Sequence, residues 1–410
     1  MILKITDGTT EVILHNDGGS PSVGLAGARY IPTEGAGDTA TETIEVVFTG
    51  STSNMLTQMN RVRRLLAQAS EAQVDPGVPK VYIHYDVYTG DLWRSELIGG
   101  QLVWSTDRHM RQLQESSTIG EMAIVITRRD YWEKPTTETL FETGSIYNGP
   151  TSPYNAITMT APSGDQPTPI KVEIENFNAD LSARNFYLTM DSFSGLTTNQ
   201  HLLTSGAGAA SWSAAPDHDT LLWTLAIPSA VIGKLAGMSV NVVAGFTSLP
   251  ANIYIRATLY NLIAGSLYVP LDNGGEKFTA DRKLHNLGTV QFQKLANGNL
   301  VMAISLYSTA ASGSATLSFV QITPARRALH LRLDDDWADG DLVTYDGEND
   351  VAYYDNGVSW DSTVSAEGGP LLAWPGRTNR LFILFDEAVS FSGSRQMIVA
   401  ISARPRRKTL

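Results

Sequence analysis

The sequence predicts a mainly β protein: an N-terminal β-barrel or sandwich with one helix, an interposed β-sandwich and a closing set of β-hairpins. Three observations predict it. Short runs alternate apolar and polar residues with the period of two that marks a half-buried strand, and turn-forming residues separate them. One stretch alone changes to a helical period. Charged residues are only 18% of the 410, with 35 glycines among them, a balance that suits a β-rich chain able to bury a full core.

Residues 1–134 form the first predicted domain. "TEVILHN" and "TETIEVVFTG" alternate as strands do. A helix over 52–70 then places Met55, Met59, Val62 and Leu66 on one stripe, widened by Leu65 and Ala69, with Ser51 or Ser53 able to cap its start. Arg61, Arg63 and Arg64 fall mostly off that stripe, so its apolar side is expected to pack on the sheet. Strand signals resume in "KVYIHYDVYTGDLWRSELIGGQLVW" and "STIGEMAIVITRRDYWEK".

Between 135 and 169 the composition shifts to Thr, Ser, Pro and Gly, which reads as an extended connector. From 170 to 325 short alternating strands recur, from "IKVEIENF" to "ATLSFVQI", at the spacing of a jelly-roll-like sandwich. The final part, 326–410, is rich in hairpin signals. It is too small to be comfortable alone and is expected to pack with the other domains.

Within that part, "DDDWADGDLVTYDGENDVAYYDNG" (334–357) carries nine carboxylates and no Lys or Arg. A calcium loop fails here, because a frame starting at Asp334 puts Ala338 at the fifth position and one starting at Asp336 puts it at the third. Alternation fits better. Val343 and Tyr345 point one way, Leu342, Thr344 and Asp346 the other, and after the turn-formers Asp346-Gly347 and Asn349-Asp350 a second strand alternates through Tyr354. That pattern predicts a hairpin with solvated acidic turns and no bound metal.

The formal charge of −12 argues against a dedicated nucleic-acid surface, which would need clustered cations. The one strongly basic run, "RPRRK" at 404–408, reads first as a solvated tail and second as an element that docks on an acidic surface. Cysteine is absent, so thiolate metal sites and Cys nucleophiles are excluded. Neither an export signal nor a membrane-spanning run is evident, so no membrane insertion is expected. The seven histidines, at 15, 84, 109, 201, 218, 285 and 330, lack metal-ligand spacing. No nucleophile elbow or phosphate loop occurs, and Gly35-x-Gly37-x-x-Ala40 sits ahead of a strand rather than behind one, against the order a dinucleotide fold needs. These readings imply no catalytic residues and no cofactor.

The closing motifs also carry a resemblance. The order of 340–346, 351–357 and Pro375-Gly376-Arg377-Thr378-Asn379, after the connector-like "PSGDQPTPIKVEIEN", resembles distal tail proteins and related tail-tip baseplate components of long-tailed, siphovirus-like phages. The resemblance implies a tail-tube-like N-terminal domain that closes into a homo-oligomeric ring, usually of six copies, with the second domain projecting outward. It implies the tail tube and other tail-tip proteins as partners, the virion tail tip as location and the bacterial cytoplasm as place of synthesis. The alternative is a carbohydrate-binding module on the same galectin-like sandwich, with Trp212, Tyr254 or Tyr260 as platforms for a host-surface glycan. A glycan-processing enzyme is the third reading.

Overall fold

The computed structural model describes residues 1–35, 37–86, 90–104, 119–148, 155–177, 183–191, 202–217, 220–250, 253–263, 267–278, 284–292, 299–357, 360–361, 364–385 and 395–410. They fall into two compact units. Unit 1 is Met1–Glu138, Ser163–Gln166 and Arg404–Leu410; unit 2 is Thr139–Pro162 and Pro167–Ala403.

Unit 1 begins with strands β1 (Ile2–Thr6), β2 (Glu11–Asn16), β3 (Leu25–Arg29) and β4 (Thr39–Thr49). Helix α1 (Thr52–Glu71) follows, then β5 (Tyr82–Asp86), β6 (Leu92–Trp104), β7 (Ile119–Arg129) and the short β8 (Trp132–Glu133). The antiparallel order β2-β1-β5-β6-β7-β4-β3 makes a nearly closed, barrel-like sheet. Ser22, just before β3, reaches across the remaining gap: its amide donates to Ile13 O (2.9 Å) and its hydroxyl accepts from Ile13 N (2.9 Å).

The helix forms where its period predicts. Ser51 caps it by accepting from Asn54 N at 3.2 Å, and Met55, Met59, Val62, Leu65, Leu66 and Ala69 are buried with the sheet's inner residues. Two glycines of β6 let it lie close. A Cβ at Gly100 would stand 2.5 Å from Val125 O and 3.0 Å from Leu66 Cδ2, and one at Gly99 would stand 2.7 Å from Ser70 Oγ. The polar Gln58 is buried on the same face.

Unit 2 is built from two sandwiches, one inserted in the other. The chain lays down β9 (Glu138–Asn148), β10 (Asn155–Met159), β11 (Thr168–Asn176) and β12 (Asn185–Asp191). The inserted sandwich follows, opening with β13 (Leu202–Leu203), β14 (Gly208–Trp212), β15 (Leu221–Ala226) and α2 (Ser229–Leu235). It continues with β16 (Ser239–Ser248), β17 (Tyr254–Ile263), β18 (Leu267–Phe278), β19 (Leu284–Gln291), β20 (Leu300–Tyr307) and β21 (Gly313–Pro324). Its sheets, β13-β21-β16-β19 with β14 on β21, and β15-β20-β17-β18, enclose an apolar core of their own.

The chain then returns to the first sandwich through β22 (Ala328–Arg332), β23 (Leu342–Asp346), β24 (Val351–Asp355) and β25 (Trp360–Asp361). β26 (Ser365–Gly368), β27 (Leu372–Ala373), β28 (Asn379–Phe385) and β29 (Arg395–Ala403) complete it. The last strand, β30 (Arg406–Arg407), belongs to unit 1 and pairs with β8. The sheets of this sandwich run β10-β28-β12-β22-β26 and β25-β24-β23-β11-β29-β9. Between the two sandwiches, Tyr187, Phe382 and Leu384 pack on Val243, Leu284 and Phe319.

The mainly β class is as the sequence predicts, but the predicted boundaries shift. The stretch 135–169, expected as an extended connector, contains β9, β10 and the start of β11. Of the span 170–325 expected as one sandwich, β11 and β12 pair with β23, β29, β22 and β28 instead, and 202–324 makes the inserted one. The segment 326–410 divides between the units at Ala403. The last two shifts share one cause: alternation marks a residue as strand but carries no mark of its partner, and Ile174 pairs with Val399.

Candidate functional site: charged segments and assembly surfaces

Residues 404–410 are laid into a slot of unit 1 as a strap. Main-chain bonds hold both sides: Lys134 N donates to Pro405 O (3.0 Å), and Asp165 N and Gln166 N donate to Arg406 O (2.9 and 3.1 Å). Lys408 N donates to Asp165 Oδ1 at 2.8 Å. The backbone passes so close that a Cβ at Gly164 would stand 2.2 Å from Arg406 O, and Gly164 has φ +106°, a conformation suited to glycine.

The strap's cations meet acids and rings. Arg406 lies over Tyr131 (4.0 Å) and near Glu133 (3.9 Å), Arg407 lies over Trp93 (4.4 Å) and near Asp91 (3.6 Å), and Lys408 pairs with the buried Asp130. Leu410 packs on the unit's apolar core. The solvated-tail reading of "RPRRK" is thus corrected: the run docks, because an acidic and aromatic face of its own chain answers it. A hydrogen bond from Lys134, 2.5 Å away, holds the Asp91 carboxyl below its usual range.

The same unit holds a fully buried ion pair. Arg128 donates from Nε and Nη2 to the two Glu42 oxygens, each at 2.8 Å, and also from Nη1 to Arg129 O and from Nη2 to Thr33 O. Tyr30 and Thr33 N also donate to Glu42. Burial works to raise the Glu42 carboxyl, yet these donors hold it below its usual range. Burial and the Glu42 charge push the Tyr30 hydroxyl well above the usual phenol range, so it stays a donor. With every charge answered, the arrangement is a rigid internal tie.

In the acidic stretch, β23 and β24 form the expected hairpin, with Tyr345 opposite Ala352. Its carboxylates are occupied by turns: Asp346 accepts from Glu348 N (3.0 Å) and Asn349 N (3.4 Å), and Asp355 from Gly357 N (2.8 Å). The buried Asp341 accepts from Ala338 N (2.7 Å) and from the Tyr354 hydroxyl (2.5 Å). No cluster of three or more potential metal ligands occurs among the described residues.

The Pro-Gly-x-x-Asn motif also has a physical role. Buried Asn379 accepts from Trp374 N (2.8 Å) and donates to Trp374 O (2.9 Å) and Arg377 O (3.1 Å), fixing the turn. The turn does not close a hairpin: β27 pairs with β11, and β28 runs between β10 and β12, so the chain crosses from one sheet to the other. Leu381, Ile383 and Phe385 face one core, and Phe382 and Leu384 face the other.

The three aromatics considered as sugar platforms are not brought together. Trp212, at the end of β14, packs against the inserted sandwich's core and against Gly313. Tyr254 and Tyr260 share a face of β17, in the opposite sheet, while Ile255, Ala257 and Leu259 between them point into the core. The two tyrosines stand six positions apart along the strand, about 20 Å. Tyr254 is 37% exposed, with its ring 5.9 Å from that of Tyr307.

The histidines are scattered too. His330 stacks on Tyr187 (4.4 Å) and bonds Asn185 (3.0 Å), and His15 pairs with Asp17 (2.7 Å). Burial, then the charges of Lys4 and Arg94, lower His84 to about 4. His285 is buried with its ring edge-on to Phe246. His109, His201 and His218 lie outside the described residues.

No protein-family model matches the chain, and no curated protein matches it. Among solved structures it is similar to those of infectious bursal disease virus. For the Gt strain the identity is 9%, covering 66% of this chain and 82% of that one, at a TM-score of 0.20. For the Gx strain it is 8%, covering 66% and 80%, at 0.18. At such TM-scores the likeness carries no argument about fold or function. No helix among the described residues is long and apolar enough to cross a membrane.

Proposed function

We propose that the chain is a non-catalytic structural protein of a phage tail tip, similar to distal tail proteins, that forms a homo-oligomeric ring joining the tail tube to the baseplate or receptor-binding apparatus. The reading rests on one coincidence. A nearly closed antiparallel barrel with a single helix packed on it occurs in the same chain as the ordered motifs at 340–346, 351–357 and 375–379, to which the resemblance belongs.

A ring subunit presents two different surfaces, and rotation closes the contact between them, so modest binding energies sum over repeated interfaces. Net charge of −12 helps to keep the unassembled subunits soluble. Sedimentation velocity over a concentration series tests the reading: a step from monomer to one discrete multiple, about six as the resemblance implies, supports it, and a monomer throughout, alone and with adjacent tail proteins, overturns it.

One observation favours a second reading, a carbohydrate-binding module. Tyr254 is exposed beside Tyr307 on the outer face of the inserted sandwich, and exposed rings can stack on sugar faces. A glycan-array signal lost in Tyr254→Ala would support this reading.

A further inference from the structure

We propose that the arginine-bearing outer face of α1 docks on the acidic turn 334–340 of a neighbouring copy, making the heterologous contact of the ring. The inference rests on the ring reading for the presence of neighbours and names the two surfaces that meet.

The helix supplies the basic side. Arg61, Arg63 and Arg64 are all exposed, and the only acid of α1 is Glu71, its final residue. Cations on a surface helix gain support from acids three or four positions away. Here those positions hold no acid, and Arg61 and Arg64 themselves stand three apart. Arg64 donates to the neutral Thr10 hydroxyl at 2.9 Å, and among the described residues Arg61 and Arg63 meet no acid. Apolar surface adjoins them. Leu56 is 50% exposed, and Val23, 71% exposed, precedes Gly24, where a Cβ would stand 2.7 Å from Asn54 O at the start of the helix. Arginine is among the residues enriched at protein interfaces.

The turn between β22 and β23 supplies the acidic side. Buried Trp337 anchors it: its ring nitrogen donates to Asp341 O (2.9 Å) and its amide to Ala183 O (2.9 Å), while Gly340 N donates to Asn176 O (2.9 Å). On this fixed frame Asp334, Asp335 and Asp339 are exposed. Unlike Asp341 and Asp346, which accept turn amides, these three meet no donor and no cation among the described residues.

At a net charge of −12, copies of the chain repel one another over most of their surface. The helix face reverses that repulsion for an approaching acidic turn. Every copy brings one of each, and a closed ring needs two different surfaces that fit each other. Complementary charge then selects which faces meet and speeds their encounter, and repetition around the ring sums modest contacts.

Charge reversal tests the contact, because exposed side chains outside the packed core can be changed at little cost to the fold. Sedimentation velocity compares the parent with Arg61→Glu plus Arg63→Glu, with Asp334→Lys plus Asp335→Lys, and with all four changes together. Each reversed pair should raise the concentration needed for assembly by about tenfold or more, and the four together should restore it. An equimolar mixture of the two reversed proteins should associate where neither does alone, since reversed helix then faces reversed turn and native helix faces native turn.

Reversed proteins that assemble like the parent overturn the contact and leave the ring reading standing. A mixture that stays dissociated while both components keep native circular dichroism overturns it too. A parent that is monomeric throughout, alone and with adjacent tail proteins, removes both. If a reversed protein loses native circular dichroism, Arg61→Gln with Arg63→Gln and Asp334→Asn with Asp335→Asn replace the reversals. The contact then predicts weaker assembly with a shallower salt dependence, and an unchanged midpoint and salt dependence overturn it.

Discussion

The acidic stretch 334–357 and the basic strap 404–408 are both dense in charge, yet they find their partners at different distances along the chain. Asp346 and Asp355 bond amides two or three residues on, and Asp350 accepts from Tyr345, five residues away. Asp336 instead pairs with the distant Arg184, 152 positions back. The strap's partners are remote: Lys408 reaches Asp165 and Asp130, 243 and 278 positions back, and Arg404 reaches Pro135 O, 269 back. Turn chemistry answers charge locally and leaves a readable pattern, whereas docking answers it through the fold.

The contrast can be tested from the most remote, most buried pairing outward. Glu42→Ala leaves Arg128 charged and uncompensated in the core, and loss of one partner of a buried pair costs about 3–5 kcal/mol. Urea unfolding followed by tryptophan fluorescence should show the loss in unit 1. The parent should also lose stability on acidification. Because the folded Glu42 carboxyl lies below its unfolded value of about 4.3, its contribution is full above that value and disappears as pH falls through the folded one. The variant should lack that part of the acid response.

Gly164→Ala comes next. It forces a Cβ against Arg406 O in a backbone conformation that costs a non-glycine residue about 1–3 kcal/mol. The strap should be released, and trypsin should then cleave faster at Arg406 and Arg407, as it should for the parent in high salt. Asp346→Ala removes a turn bond worth about 0.5–1.5 kcal/mol and should leave that cleavage unchanged. Equal protease sensitivity in both variants would erase the distinction.

The smallest expected effect is none. A chelator should leave the melting temperature unchanged, whereas a cation site filled at a hundredfold its Kd would contribute about 2.7 kcal/mol.

Legibility in the sequence followed the same rule of distance. Helix α1 and the hairpin β23–β24 were readable because a period of 3.6, a Ser cap and a turn between two alternating runs are properties of neighbouring residues. The nesting of one sandwich in another was not, since β11 and β12 find partners from β22 to β29 only after 202–324 has been inserted. The slot was invisible for the same reason: "RRDYWEK" shows acids and rings flanked by cations, but nothing in it names 404–408 as the segment it receives. Trp212 could not be told from an exposed ring by composition; its place beside Gly313 is set by pairing across about a hundred residues.

The central claim, that copies of this chain close on themselves, is tested most directly by negative-stain electron microscopy of the assembled fraction. The account predicts class averages of closed rings with a single rotational symmetry. Open filaments, irregular clusters or isolated monomers at every concentration, with and without the adjacent tail proteins, would contradict it.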